Sequence, residues 1–426
     1  MSEKQDCLEM VSARINEASF LQRSKKRPQD FTRGRKMIFV ELICFMLGMV
    51  KRSIQTELNA AFELFQRGQE VMTQQAFSTA RKKVKWEAYK ELFQASVDGS
   101  YNEGLKLWRG IFGVLASDGT FLRLPSFKVL LEHFGGLGPE KTSPTALVSL
   151  LYDLLNNIVI DAAIEAITKN ERDLTKRHIE VLVKRPDYNN GYRDLITLDR
   201  GYPSHAFIRS IPEGMAYLIR LPKGFVSAKK IPEGSKDCIV TLGRGKNKFQ
   251  VRILHITLPT GEVEILVTNL TEDEVEYEAF MELYNMRWGI ETKYKELKHK
   301  LALENFSGML VDNIKQDFYA MMTVTNILSS FMRKAQRNLD MKPTVKRNGK
   351  EKKYRYKVNV NNAVGVYKAN LIRVMVERDM KKRAKLMAKM IFQMERRAVP
   401  IRPHRKVPRK PNARQGRFHH NHKLNC

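Results

Sequence analysis

"GVLASDGTFLRLP", residues 113–125, is the stretch on which the fold turns. It reads as one long strand with a carboxylate, Asp118, in its middle. It also reads as two short strands joined at Asp118-Gly119, because Asp-Gly is a favoured type I′ hairpin pair. The two readings differ in cost. A carboxylate inside an apolar strand must be hydrogen-bonded, paired or holding a metal, whereas a turn aspartate faces water. Two more apolar runs follow, "ALVSLLYDLL" (146–155) and "NIVIDAAIEA" (157–166). "ERDLTKRHIEVLVKR" (171–185) has helical spacing, and "LITLDRGY" (195–202) is a buried strand ending on Asp199-Arg200-Gly201. "SHAFIRSI" is helical and "MAYLIRLP" is a further strand. This order predicts an α/β fold, a mixed sheet flanked by helices.

Outward from that core, residues 223–278 form a separate β-rich stretch of "DCIVTLGRG", "KFQVRILHITLP" and "GEVEILVTNL". "DNIKQDFYAMMTVTNILSSFM" (312–332) is an amphipathic helix expected to pack on the sheet. Residues 1–105 read as all helix. Gly68 marks a break there and Thr73 an N-cap, giving a helix, turn and basic helix of helix-turn-helix type. Gln75, Arg81 and Lys82 would then meet phosphates or base edges. A helical bundle with a basic exterior accounts for the same residues. Beyond residue 336 the chain turns basic: residues 381–426 hold fifteen Lys or Arg against one acid, with four prolines. A disordered polycationic tail is expected at its end.

The charge sets the partner. A formal net charge of +29 over 426 residues favours a polyanion, because neutralising phosphates releases condensed counterions. Nucleic acid leads and an anionic membrane surface follows. The longest apolar run, "MIFVELICFMLGMV" (37–50), is too short to span a bilayer and contains Glu41. The first residues do not read as a signal peptide. Four dispersed cysteines without a C-x-x-C pair argue against a zinc ribbon or a disulfide framework and suit a reducing cytoplasm. No P-loop or dinucleotide fingerprint is present.

"YNMRWGIETKYKELKHKL" (284–301) carries two faces. At ~100° per residue, Tyr284, Arg287, Glu291 and Lys298 share a sector of roughly 60°. Leu283, Met286, Ile290, Leu297 and Leu301 form a buried seam beside it, and Trp288 is read with the core. A solvated face of spaced charges explains the polar row by itself. Beside Asp118 and Asp199, the row gains a chemical sense. Two strand aspartates and a helix glutamate offer oxygen ligands to hard divalent ions, and flanking cations suit the phosphates of a nucleic acid.

These residues resemble a known family. Asp118-Gly119-Thr120 and "LDRGY" (198–202) are similar to the first- and second-aspartate segments of bacterial insertion-sequence transposases with a DDE triad. Tyr284, Arg287, Glu291 and Lys298, in that spacing, resemble the tyrosine–arginine–glutamate–lysine signature of the insertion-sequence-four family. The resemblance implies a ribonuclease H-like catalytic core over 106–335, with 223–278 as a β-rich insertion. An N-terminal helical DNA-binding region (1–105) and a basic C-terminal region (336–426) flank it. It further implies that Asp118, Asp199 and Glu291 bind two Mg²⁺, with Mn²⁺ able to substitute. The enzyme would cleave double-stranded DNA at terminal inverted repeats and join the freed 3′-hydroxyls to target DNA by direct transesterification. Tyr284, Arg287 and Lys298 would grip DNA near the cleaved end, with Arg200 on a phosphate. A homodimer on paired ends, no membrane partner and a cytoplasmic, nucleoid-associated bacterial setting complete the expectation. The alternatives are a transposase-derived DNA-binding protein without catalysis and a ribonuclease H-like nuclease.

Overall fold

A computed structural model describes residues 5–402 apart from 33–35, 49–52, 227–230, 233, 259–260, 344–350 and 352. The expected polycationic tail beyond 402 lies outside the described residues.

Six helices open the chain: α1 (Cys7–Asn16), α2 (Ala18–Ser24), α3 (Phe39–Leu47), α4 (Ile54–Leu64), α5 (Gln74–Arg81) and α6 (Glu87–Asn102). The apolar run at 37–50 contributes α3, whose Leu42, Ile43 and Leu47 are buried. Thr73 caps α5, its hydroxyl accepting from the Ala76 amide at 3.2 Å. That hydroxyl takes one of the amides left free at a helix start.

The sheet follows. Its strands are β1 (Phe112–Arg123), β2 (Gly136–Leu137), β3 (Ser143–Asp153), β4 (Ile158–Ala166), β5 (Arg193–Leu198), β6 (Ala216–Arg220), β7 (Asp237–Leu242), β8 (Phe249–Thr257) and β9 (Val263–Thr268). Helices α7 (Lys128–Phe134), α8 (Glu171–Val183) and α9 (His205–Arg209) fall between them. The order across the sheet is β2-β3-β1-β5-β6-β9-β8-β7, with β4 also paired to β3. β1, β5 and β6 run parallel and the other pairs antiparallel. This is the mixed sheet of a ribonuclease H-like core.

β1 is one unbroken strand: Asp118 pairs with Leu150 and Gly119 with Ser149 of β3. The hairpin alternative fails, and Asp118 is a carboxylate in mid-strand. The β-rich stretch is not a separate sheet, because Leu218–Arg220 of β6 pair with Leu266–Thr268 of β9.

Past the sheet come α10 (Ala279–Met286), α11 (Trp288–His299) and α12 (Val311–Asp340). α13 (Val360–Val376), α14 (Met380–Arg396) and the short ribbon β10 (Tyr356–Lys357) with β11 (Val399–Pro400) end the described chain. α12 joins the halves. Asn326 accepts from the Val159 amide at 2.9 Å and donates to the Val159 carbonyl at 3.0 Å, tying α12 to β4. Gln316 donates to the Arg81 and Val84 carbonyls, tying it to the end of α5. Among the described residues no helix is long and apolar enough to cross a membrane.

Candidate active site

The sheet brings the two aspartates together. β1 and β5 are parallel neighbours with Ala116 opposite Thr197, so extending that register by two residues sets Asp118 opposite Asp199. Asp199 directly follows β5, at the carboxyl end of a parallel strand, where open α/β sheets place ligand sites. The Asp118 carboxylate accepts the following amide of Gly119 at 2.9 Å. Burial raises its pKa to about 6; the negative charges of Glu171 and Glu291 push the same way, against the Gly119 amide and Arg287.

Glu291 arrives on α11, which is pinned to β1 at two points. The Tyr294 hydroxyl donates to the Asp118 carbonyl at 2.7 Å. Lys298 Nζ donates to Thr120 Oγ1 and the Phe121 carbonyl, both at 2.8 Å. Ile290, Leu297 and Leu301 are buried, so the seam read from the sequence holds α11 against the sheet. The polar row is less open than its spacing suggests. Arg287 stands between α10 and α11 and is only 4% exposed. Its Nη2 donates to Glu291 Oε1 at 3.3 Å. Tyr284 is also buried, and its hydroxyl lies 3.5 Å from Asp199 Oδ1. Both side chains therefore face carboxylates. Arg200 is exposed.

Trp288 corrects the sequence reading: it is 52% exposed, and the Arg287 guanidinium lies 4.9 Å from its ring centre. Arg81 is a second correction. It is 1% exposed, with its guanidinium bonded to Gln316, Ser307, the Asn313 carbonyl and Asp317. No phosphate reaches it. Gln75 and Lys82 on the same segment are exposed.

Sequence reasoning missed three site residues. Arg220, at the end of β6, pairs with Asp199 at 3.7 Å and with Glu264. Tyr294 lies three residues past Glu291 and carries no distinguishing mark in the sequence. Glu171, the first residue of α8, looks like an ordinary first-turn acid but sits against Gly119.

Residues 112–327, half of the chain, match the family described as Transposase DDE domain. The chain belongs to the DDE transposases. These are metal-dependent enzymes, and the insertion-sequence-four signature is consistent with this membership. No curated protein matches the chain. Among solved structures, a cryo-EM structure of piggyBac transposase synaptic complex with hairpin DNA is similar at 11% identity and a TM-score of 0.47. The match covers 90% of this chain and 85% of that one.

The donor set of this DDE transposase is oxygen-only, which suits a hard divalent cation. Burial and mutual repulsion at Asp118 leave negative charge that a cation would relieve. As placed, the carboxylates do not converge: among the described residues no three acidic, histidine or cysteine side chains are grouped to hold an ion. Asp199 is turned to Tyr284 and Arg220, and Glu291 to Arg287. Protein cations stand where metal charge is expected.

Proposed function

We propose that the protein is a cut-and-paste transposase. It binds the terminal inverted repeats of an insertion sequence, cleaves double-stranded DNA at the element ends and joins the 3′-hydroxyls to target DNA. What supports this is the parallel register of β1 and β5, which carried on by two residues sets Asp118 opposite Asp199, with Glu291 on a helix that Tyr294 ties to Asp118. Asp118, Asp199 and Glu291 would hold two Mg²⁺, or Mn²⁺ in its place. Such ions activate a water or hydroxyl oxygen and stabilise the leaving oxygen of an in-line phosphoryl transfer.

The chain's own residues bind and orient. In cleavage a water oxygen attacks phosphorus and the bond to the departing 3′-oxygen breaks. In joining, the freed 3′-hydroxyl attacks a target phosphodiester, and one phosphodiester replaces another without nucleotide hydrolysis. Lys298 and Arg200 meet the phosphates of the end, and Arg287 and Tyr284 would be free to take a phosphate if Glu291 and Asp199 held the metal. The +29 charge supplies the nonspecific part of DNA affinity, and Gln75 and Lys82 lie on the surface that meets the repeat. Residues 1–105 serve binding and 106–335 catalysis, with 336–426 as a basic extension. Pairing of two ends calls for a homodimer, and the setting is cytoplasmic and nucleoid-associated.

The test joins a pre-nicked end duplex, taken from the repeats flanking the gene, to a supercoiled plasmid with Mg²⁺ or EDTA. Metal-dependent joining that disappears in Asp118→Asn, Asp199→Asn and Glu291→Gln, with end binding retained, supports the reading. Binding without cleavage or joining under Mg²⁺ and Mn²⁺ alike would make the protein a DNA-binding derivative.

A further inference from the structure

Glu171 is an unexplained carboxylate at this site. It opens α8, whose Asn170 cap accepts from the Arg172 amide at 2.9 Å. An acid in a first turn ordinarily faces solvent and favours the helix dipole. Glu171 instead folds over β1. A Cβ built on Gly119 would lie 2.3 Å from Glu171 Oε1, so a side chain at 119 would displace this carboxylate from its present place. The residue before that glycine is Asp118, and the charge of Glu171 is felt at Asp118, Tyr202 and Tyr294.

The carboxylate is also unmatched. It is half-buried, yet among the described residues it makes no ion pair or side-chain hydrogen bond, in a chain with 75 Lys and Arg against 46 acids. The adjacent cation is spent elsewhere: Arg172 Nε donates to the Gly201 carbonyl at 2.9 Å, in the loop after Asp199. One dipeptide at the start of α8 thus sends a cation to the second-aspartate loop and an anion to the first aspartate. Holding an unpaired, half-buried carboxylate near Asp118 costs free energy unless something positive joins them.

We propose that Glu171 is a fourth carboxylate of the site, holding, directly or through a water, the divalent cation that Asp118 and Glu291 take. Gly119 leaves the space that it occupies. The proposal rests on the metal-dependent reading above and adds a ligand to it.

The experiment is Mn²⁺ binding to the full chain without DNA, read from the loss of the free-ion electron paramagnetic resonance signal. Wild type is compared with Glu171→Gln, Asp118→Asn and Glu180→Gln, the last an exposed acid on the same helix. Loss of a ligand or its supporting group costs roughly 10- to 100-fold in metal affinity, so Glu171→Gln should raise the Mn²⁺ Kd about tenfold or more. Glu180→Gln should leave it within about twofold, since it removes the same charge away from the site. Gly119→Ala should weaken binding less than Glu171→Gln and add little on top of it, because it shifts the same carboxylate without removing it. Melting in EDTA checks that each variant is folded. Unchanged affinity in Glu171→Gln, with binding lost in Asp118→Asn, overturns the proposal and leaves the triad standing. Unchanged affinity in Asp118→Asn as well, or no binding by wild type, overturns the metal reading and this proposal with it.

Discussion

Arg81 offers the clearest separation of structure from DNA contact. Replacing it with methionine keeps much of the side-chain volume but removes the guanidinium that joins α5 to α12 and the loop before it. Four hydrogen bonds go with it: to Gln316 Oε1 at 3.0 Å, Ser307 Oγ at 2.7 Å, the Asn313 carbonyl at 3.1 Å and Asp317 Oδ1 at 2.8 Å. Breaking a buried ion pair by deleting one partner costs about 3–5 kcal/mol, because the other charge is left behind. Asp317 keeps part of its support, since the Ser307 amide and hydroxyl still donate to it. Gln316 keeps its bonds to the main chain at 81 and 84. The cost therefore falls at the lower end, about 3 kcal/mol.

Urea unfolding followed by tryptophan fluorescence measures it, because Trp86 stacks on Tyr319 of α12 at 5.5 Å across the same junction. The midpoint should fall in Arg81→Met and stay in place in Lys82→Met, whose side chain is exposed. DNA binding should show the reverse. The salt slope of Lys82→Met should drop by about one unit for each phosphate that Lys82 neutralises, while folded Arg81→Met keeps the wild-type slope. A destabilisation below about 1 kcal/mol with a shallower slope in Arg81→Met would refute the buried-anchor account and return Arg81 to the DNA surface.

Trp288→Ala should change stability by no more than about 1 kcal/mol, since half its surface is free and its contact with Arg287 is a cation–π stack. DNA-end affinity should fall by about 1–3 kcal/mol if the ring stacks on a base; unaltered affinity would leave the ring as a cover for Arg287. Asp194 tests the sheet at the opposite end of β5. Burial, reinforced by Asp153 and Asp187, raises its pKa to about 7, far above the unfolded range of about 4. The fold therefore prefers the protonated acid, and its stability is full below pH ~4 and declines as pH rises through ~7. Asp194→Asn mimics the neutral form, so it should melt like wild type at pH 4 and higher than wild type at pH 8. Parallel melting curves across that range would rule the titration out.

The sheet was legible because its strands are long apolar runs bounded by polar turns, and that pattern survives without knowledge of pairing. The choice at Asp118-Gly119 was not, because turn preference is local while the pairing of Gly119 with Ser149 and the packing of Glu171 are tertiary. Trp288 was misread from its neighbours in sequence rather than its place on the helix. Two residues from Ile290 is about 160° around the axis, nearly the opposite face. Arg81 and Lys82 are indistinguishable as basic residues at a helix end. What separates them is Asn313, Gln316 and Asp317, more than two hundred positions away. The triad was readable from motif spacing, but its electrostatic setting was not, since Arg220 and Glu171 come from other elements.

On the proposed metal-dependent reading, those surrounding charges would order the entry of cations. Asp199 is 3.7 Å from Arg220 and Glu291 is 3.3 Å from Arg287, so each already has a counter-charge that a metal must displace. Asp118 and Glu171 have no such pair among the described residues. A divalent ion arriving there would meet these two carboxylates before any arginine is displaced, and Glu291 would join it once Arg287 let go. Completing the proposed site would require Arg287 and Arg220 to release Glu291 and Asp199, and an incoming phosphate would be the natural acceptor for a freed guanidinium. On that reading, binding of DNA and of metal should be mutually favourable. The arginines that pair with Asp199 and Glu291 in the free protein would then join the substrate contact.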